Sequence, residues 1–300
     1  MKILVTGKNG QVGFEINQKL SSLGDIIAID RENLDLANQD NISQFLDQTK
    51  PNLIIHPAAY TAVDHAETES DLCYAVNVNA SQALTNKAIE FDIPIIYFST
   101  DYVFDGLKKE PYLEDDKVNP QSIYAKTKCE GEIAVRQHKK HIILRTSWIF
   151  GTHGNNFLKT ILSLAQKKDS LNVIGDQKGS PTSASMLADI TFKIVQNILN
   201  NKGFKDFGTY HLTSEGETSW YEYACFIIDE AIKLGFHSNI TSSQIKAIQT
   251  DAYPTATKRP LNSKLCCEKI KKTFMLELPY WKDEVTKVLE ELIQINDKPN

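Results

Sequence analysis

The run NPQSIYAKTKCEGE (119–132) sets one tyrosine beside two lysines. A helix advances about 100° per residue, so Lys128 would lie about 40° from Tyr124 on the same face, while Lys126 would point about 200° away. A phenol with a pKa near ~10 is a poor proton relay at neutral pH, and an ammonium beside it favours phenolate and lowers that pKa. Tyr124 and Lys128 are therefore candidates for an acid–base pair. The Tyr-x-x-x-Lys spacing alone describes a helix surface equally well. FSTDYVFDG (98–106) adds a hydroxyl, because Thr100 ends an apolar run and can hydrogen-bond a substrate carbonyl or hydroxyl beside Tyr124.

A second group of residues suits a phosphate. VTGKNGQVGFEI (5–16) spaces Gly7, Gly10 and Gly13 as GxxGxxG, after a strand-like run and before a helix-like one. In that context Gly7 permits a tight turn and Gly10 lets the backbone approach a pyrophosphate. Gly13 lets the helix pack on the strand while its N-terminal amides and dipole favour the anion. Asp30 ends the next strand-like run, where a carboxylate binds adenosine ribose hydroxyls; Arg31 follows it and suits a 2′-phosphate. The two pull in opposite directions, so NADH and NADPH both stay open, as does a solvated charge pair.

The elements that must position these residues are legible as alternation. Strands are predicted at 2–7, 25–30, 52–58, 93–100 and 141–151, with a helix over 71–91. β-Branched runs without polar alternation suit strands buried on both faces, as in a parallel sheet. Repeated βαβ units imply an α/β fold of Rossmann type, with helices on both sides of a doubly wound sheet. Catalytic groups gather at the carboxyl ends of such strands, where Thr100 falls. The second half reads as helices at 156–168, 183–200, 219–235 and 281–294, with short strands at 171–176 and 208–214 and an ordered loop at 252–265. The expected organisation is a dinucleotide-binding domain over 1–152. A mainly substrate-binding α/β lobe follows over 153–300, with segments that return to pack on the first.

Composition narrows the function classes. The 300 residues are 41% hydrophobic and 24% charged, as in a soluble globular protein, and the formal net charge of −5 gives no reason to expect nucleic acid or an anionic membrane. No run approaches the roughly 18 apolar residues of a membrane span. Five cysteines without a repeated CxxC pattern read as reduced thiols, so a cytoplasmic protein is expected. His56 and His65 lack a clustered third ligand, and read as non-metal residues. Trp148 lies in an apolar run and is equally describable as a core aromatic. The terminal helix at 281–294 reads as a packed element.

Taken together, GKNGQVG, PAAYTAVDHAE, STDYVFDG, YAKTKCEGE, RTSWIFG, GNNFLKT, DQKGSPTSA and AYPTATKRPLNS resemble the extended short-chain dehydrogenase/reductase superfamily, and within it the dTDP-4-dehydrorhamnose reductase family, over essentially the whole chain. The resemblance implies NAD(P)H-dependent reduction of the C4 ketone of a dTDP-linked keto-sugar. Tyr124 would be the acid, Lys128 would hold the nicotinamide ribose and lower the Tyr124 pKa, and Thr100 would polarise the carbonyl. It implies Gly10, Gln11 and Val12 at the pyrophosphate, Asp30 at the adenosine ribose, Asp35 and Leu36 near the adenine, and Ala59, Tyr60 and Thr61 along the cofactor. Thr100, Asp101 and Trp148 would meet the sugar, and Arg259, Asn262 and Ser263 the dTDP portion. Some relatives hold a divalent cation between subunits with an acidic residue at the position of Glu15, so Mg2+ and a homodimer enter as expectations beside a plain helix-start glutamate. A dehydratase is disfavoured, because Tyr102 rather than a second carboxylate follows Asp101, and no extra base for an epimerase is identifiable. A homologous non-catalytic, NADP-binding regulatory subunit need not keep Thr100, Tyr124 and Lys128 together, and all three are present.

Overall fold

The computed structural model describes residues 1–296. Six parallel strands form the main sheet: β1 (Lys2–Thr6), β2 (Asp25–Ile29), β3 (Leu53–His56), β4 (Ile95–Thr100), β5 (His141–Thr146) and, from the second half of the chain, β7 (Gly208–His211). Their order is β2-β1-β3-β4-β5-β7, so strand order reverses between β1 and β3. Ligands bind in the crevice that such a reversal opens at the carboxyl ends of the strands. Every residue of β4 is buried, as its unbroken apolar pattern requires.

The helices flanking the sheet are α1 (Gln11–Leu20), α2 (Gln39–Thr49), α3 (Ala80–Glu90), α4 (Ile123–Arg136) and α6 (Ala184–Asn200). On one face Val12, Ile16 and Leu20 of α1 share a core with Leu187, Ile190 and Ile194 of α6. Each such side chain contributes about 1.5–3 kcal/mol by leaving water. The helix expected over 71–91 is present but not uniform. Ser70–Tyr74 is α-helical, Ala75–Asn79 makes a π turn, and α3 continues from it.

The smaller lobe has its own core around Leu158, Ile161, Tyr223, Ile227, Trp281 and Val285. It is built from α5 (Phe157–Ala165), α7 (Trp220–Lys233) and α9 (Trp281–Asn296), with a parallel pair of strands, β6 (Leu171–Ile174) and β8 (Ile245–Ile248). A short helix, α8 (Glu268–Phe274), packs by β7. No helix among the described residues is long and apolar enough to cross a membrane. All five cysteines are free thiols.

The fifth strand departs from its sequence reading. The apolar run continues to residue 151, but β5 stops at Thr146 because Trp148 takes a left-handed backbone with φ +48°. Beyond it Ile149–Phe150 pairs with Thr182–Ser183, outside the main sheet. Local propensity cannot reveal that break, since the partner of Ile149 lies far along the chain.

Candidate active site

β4 and β5 end in register, Thr100 opposite Thr146. Helix α4 is started by Ser122, whose hydroxyl accepts the Ala125 N–H at 3.1 Å. It turns three residues, one helical turn apart, toward the end of β4. Tyr124 meets Thr100, the Lys128 ammonium donates to the Phe98 carbonyl at 2.7 Å, and Glu132 accepts from the Ser99 hydroxyl at 2.6 Å. Lys126 is exposed and Lys128 is buried, so helical periodicity picked the lysine that faces inward.

The electrostatics differ from the expectation that Lys128 lowers the Tyr124 pKa. Burial pushes the Tyr124 phenol above its ordinary value; the Thr100 hydroxyl opposes this, while Asp101 and Cys73 add to it. The Lys128 ammonium instead faces the Phe98 carbonyl and lies 4.0 Å from the centre of the Tyr97 ring. Burial pulls Lys128 down to about 7, although the Glu132 carboxylate favours its charge. A phenol with a raised pKa keeps its proton at neutral pH, which suits donation rather than abstraction.

Asp101 is 3% exposed, and burial pushes its carboxyl up to about 7 against the hydroxyls of Ser263 and Thr100. Its Oδ1 accepts from Thr100 at 3.1 Å. The Tyr102 ring meets Tyr124 edge-on at 5.8 Å, and Asp64 and Arg259 lie close to Tyr102. Arg259 donates to Asp64 at 3.0 Å. Asp101 Oδ2, Asp64 Oδ1 and Arg259 Nε are all buried without a hydrogen-bond partner. Orphaned buried polar atoms are rare in folded proteins, so this cluster has hydrogen-bonding capacity for a polar ligand.

The substrate candidates are not equally free. Asn262 donates to the carbonyls of Lys108 and Glu110 at 2.6 and 2.9 Å and accepts the Lys264 N–H at 3.0 Å. Its side chain clamps the 259–263 loop, a task the sequence did not disclose. Ser263 is buried beside Asp101, and Trp148 is half-buried two residues beyond Thr146.

On the other side of the sheet reversal lies a cleft of about 750 Å³. It is lined by the whole glycine loop from Gly7 to Gly13 except Lys8, by Asp30, Arg31, Asp35 and Leu36, and by Ala59, Tyr60 and Thr61. The loop fits a pyrophosphate on geometry. Gly7 has φ +66°, and a Cβ on Gly13 would stand 2.1 Å from the Gly7 carbonyl oxygen. Gly10 caps α1 without a side chain, leaving the first amides of the helix open to an anion. Ile149, Gly154 and Asn155 also line the cleft, and sequence reasoning did not find them.

The Asp30 carboxylate already has partners within the chain. Asn9 donates to it at 2.8 Å and the Lys8 ammonium stands 3.2 Å away. Burial works to raise its pKa, but the Asn33 amide and Lys8 outweigh that and hold it below the ordinary value. Arg31 is exposed at the rim. Asn77, in the π turn, was also missed. It accepts the Tyr60 N–H at 2.8 Å and donates to Thr127 at 3.0 Å, tying the cofactor-side loop to α4.

His56 is fully buried, bonded to Thr6 at 2.8 Å and Ser81 at 3.3 Å, and held neutral because burial and Lys128 pull it down to about 3. Glu15 is half-buried, and its pKa is raised by burial, Glu291 and Asp189 against the pull of His153. Among the described residues no group of three or more His, Cys, Asp or Glu side chains is placed to hold a metal ion.

A family model described as RmlD substrate binding domain matches residues 1–294. The chain is 40% identical to the dTDP-4-dehydrorhamnose reductase of Escherichia coli strain K12, over 97% of this chain and 98% of that one. A crystal structure of a dTDP-4-dehydrorhamnose reductase from Clostridium acetobutylicum superposes with a TM-score of 0.89 at 38% identity, covering 98% of this chain and all of that one. A second, from Bacillus anthracis in complex with NADP, gives 0.87 at 32% identity, with 97% and 99% covered. With its cofactor cleft at the sheet reversal and Tyr124 beside Thr100, the chain belongs to the RmlD substrate binding domain family, that of the dTDP-4-dehydrorhamnose reductases.

Proposed function

We propose that the protein catalyses NADPH- or NADH-dependent reduction of the C4 ketone of dTDP-4-dehydro-β-L-rhamnose to dTDP-β-L-rhamnose, supplying a nucleotide sugar for cell-surface polysaccharide. The observation that carries this is the proton-holding Tyr124 phenol against Thr100 at the end of β4, in a fold whose sheet reversal opens a cleft lined by the glycine loop. The bound reduced dinucleotide supplies a hydride. Tyr124 delivers its proton to the C4 oxygen as charge develops there. The Thr100 hydroxyl, released from Asp101, donates a hydrogen bond to the same oxygen, and pre-set donors of this kind supply much of such an acceleration. Lys128 orients the nicotinamide ribose with its ammonium. Asp101 and Trp148 hold the sugar, and Arg259 with Ser263 the diphosphate end. Asn262 acts by fixing their loop.

The test is the loss of reduced-nicotinamide absorbance when dTDP-4-dehydrorhamnose is added, with NADPH and NADH side by side and with or without a chelator. The chelator arm reads whether a divalent cation at Glu15 contributes. An inert protein that still binds NADPH and captures a partner enzyme sinks the reading in favour of a regulatory subunit.

Two further results are expected. Lys8→Ala leaves Asp30 to repel a 2′-phosphate without its nearest cation, so the NADPH-to-NADH ratio of kcat/KM should fall roughly five- to tenfold, as for a charge pair near the surface. An unchanged ratio removes Lys8 from cofactor choice. For pH, the lowered pKa of Lys128 means that its ammonium is present below about 7 and lost above it. In the free enzyme kcat/KM should therefore decline as pH rises through about 7. Asp101 titrates in the same range, so Asp101→Asn is the control: a decline that disappears in this variant belongs to Asp101 and not to Lys128.

A further inference from the structure

The Trp148 indole is held from several sides, none of them part of the cofactor cleft. Its backbone lies in the left-handed region at φ +48°, which a bulky residue adopts only where its surroundings impose it. Its ring stacks on Trp220, with centroids 3.6 Å apart and planes 13° from parallel. It also rests against Gly179, where an added Cβ would stand 2.6 Å from Cε2 and 2.9 Å from Nε1 of the indole.

Trp220 is itself fixed in place. It is the first residue of α7, directly after Ser219, which forms a reciprocal cap with Glu222. Its Nε1 donates to Gln177 at 3.2 Å, and the Phe157 ring packs on it at 4.5 Å. The segment that begins at Gln177 also anchors the 259–263 loop. The Lys178 amide donates to the Leu261 carbonyl at 2.8 Å, and the Lys178 carbonyl accepts from the Ser263 amide at 2.7 Å. The stacked pair therefore links the chain just beyond β5 to the loop that carries Arg259 and Ser263.

We propose that Trp220 is a positioning residue for the sugar: by stacking on Trp148 it holds that indole as a preformed wall of the keto-sugar pocket, and so sets affinity and selectivity for the sugar without touching it. The proposal rests on the reductase reading and on Trp148 as the sugar-facing aromatic. An indole offers an apolar π-face that suits the C–H-bearing side of a deoxyhexose ring. A wall already in place spares the ordering cost at binding, and the benefit falls on the sugar rather than on the cofactor.

The experiment uses the full chain with two independent readouts, steady-state kinetics and the far-ultraviolet circular-dichroism couplet of the stacked indoles. Trp220→Leu keeps an apolar side chain at the start of α7 and removes the stacking together with the Nε1 bond to Gln177. It should abolish the couplet, raise KM for the keto-sugar roughly five- to tenfold, and leave the Kd for NADPH within about twofold. Gly179→Ala presses on the same ring from the strand that pairs with Thr218 and Ser219, keeps the Trp220 side chain, and should reproduce the rise in KM. A wild-type KM in Trp220→Leu despite a lost couplet overturns the proposal. So does a common worsening of KM, NADPH affinity and unfolding midpoint, which would mark loss of the lobe rather than of a positioned wall. Trp148→Leu separates the premises: a wild-type sugar KM there shows that Trp148 is not the wall, and the proposal falls while the reductase reading stands. Absence of turnover by the wild-type enzyme sinks the reductase reading itself, and the proposal with it.

Discussion

Tyr124→Phe is expected to lower kcat by about two to four orders of magnitude, the range that a positioned general acid supplies. The substitution removes one oxygen from a side chain whose ring packs edge-on against Tyr102, so the fold and the cofactor cleft should survive. The Kd for NADPH should accordingly stay within about twofold of wild type, because the phenol does not line the cleft. A proton donor is needed only as the alkoxide forms, so the loss should appear in kcat rather than in KM. Near wild-type turnover would remove Tyr124 from the proton path, and the neighbouring Asp101, with its carboxyl at about 7, would become the group to test next.

Glu132→Ala should destabilise the protein by about 3–5 kcal/mol, the usual cost of stripping one partner from a buried ion pair. The Glu132 side chain is fully buried and that of Arg145 is 1% exposed. Arg145 donates to both carboxylate oxygens at 2.8 Å, Arg136 donates at 2.7 Å and Ser99 at 2.6 Å. Without the carboxylate, the Arg145 guanidinium keeps the Glu114 carbonyl at 3.3 Å, a neutral His211 at 3.4 Å and the face of the Phe104 ring at 5.0 Å, none of them a counter-charge. Burial acts to raise the Glu132 pKa, but Arg145 and Arg136 overcome it and hold the carboxyl below its ordinary value. A depressed carboxylate stabilises fully above its unfolded pKa and loses that contribution as pH falls through the folded one. The wild-type protein should therefore lose stability on acidification more steeply than Glu132→Ala does. The urea midpoint, read at unchanged m, measures both effects, and a wild-type midpoint at neutral pH would show that the pair carries no net stability.

Tyr124, Lys128 and Glu132 show how far local spacing reaches. Their 4-residue repeat orders them on one face of a helix, and this much follows from periodicity alone. That the face turns toward β4 depends on the sheet order, which brings residues 98–100 beside a helix more than twenty positions later. The direction of the Tyr124 pKa was misjudged for the same reason. Proximity on a helix says that an ammonium is near, but burial and the Phe98 carbonyl decide where that ammonium points and which way the phenol shifts. Lys8 and Asn9 at Asp30, Asn77 at Tyr60 and Trp220 at Trp148 were likewise illegible, because each joins residues that are distant in sequence and carry no shared motif.

By itself the sequence determined the α/β class, the glycine loop opening on α1 and the choice of Lys128 over Lys126. All of these rest on short-range rules of helix period, strand burial and backbone freedom at glycine. Only the tertiary structure decided the π turn at Asn77, the left-handed break at Trp148, the commitment of Asn262 to its own loop and the pairing of Asp30 with Lys8 and Asn9. Those depend on which groups distant in sequence are brought together by the fold, and a one-dimensional pattern does not encode that.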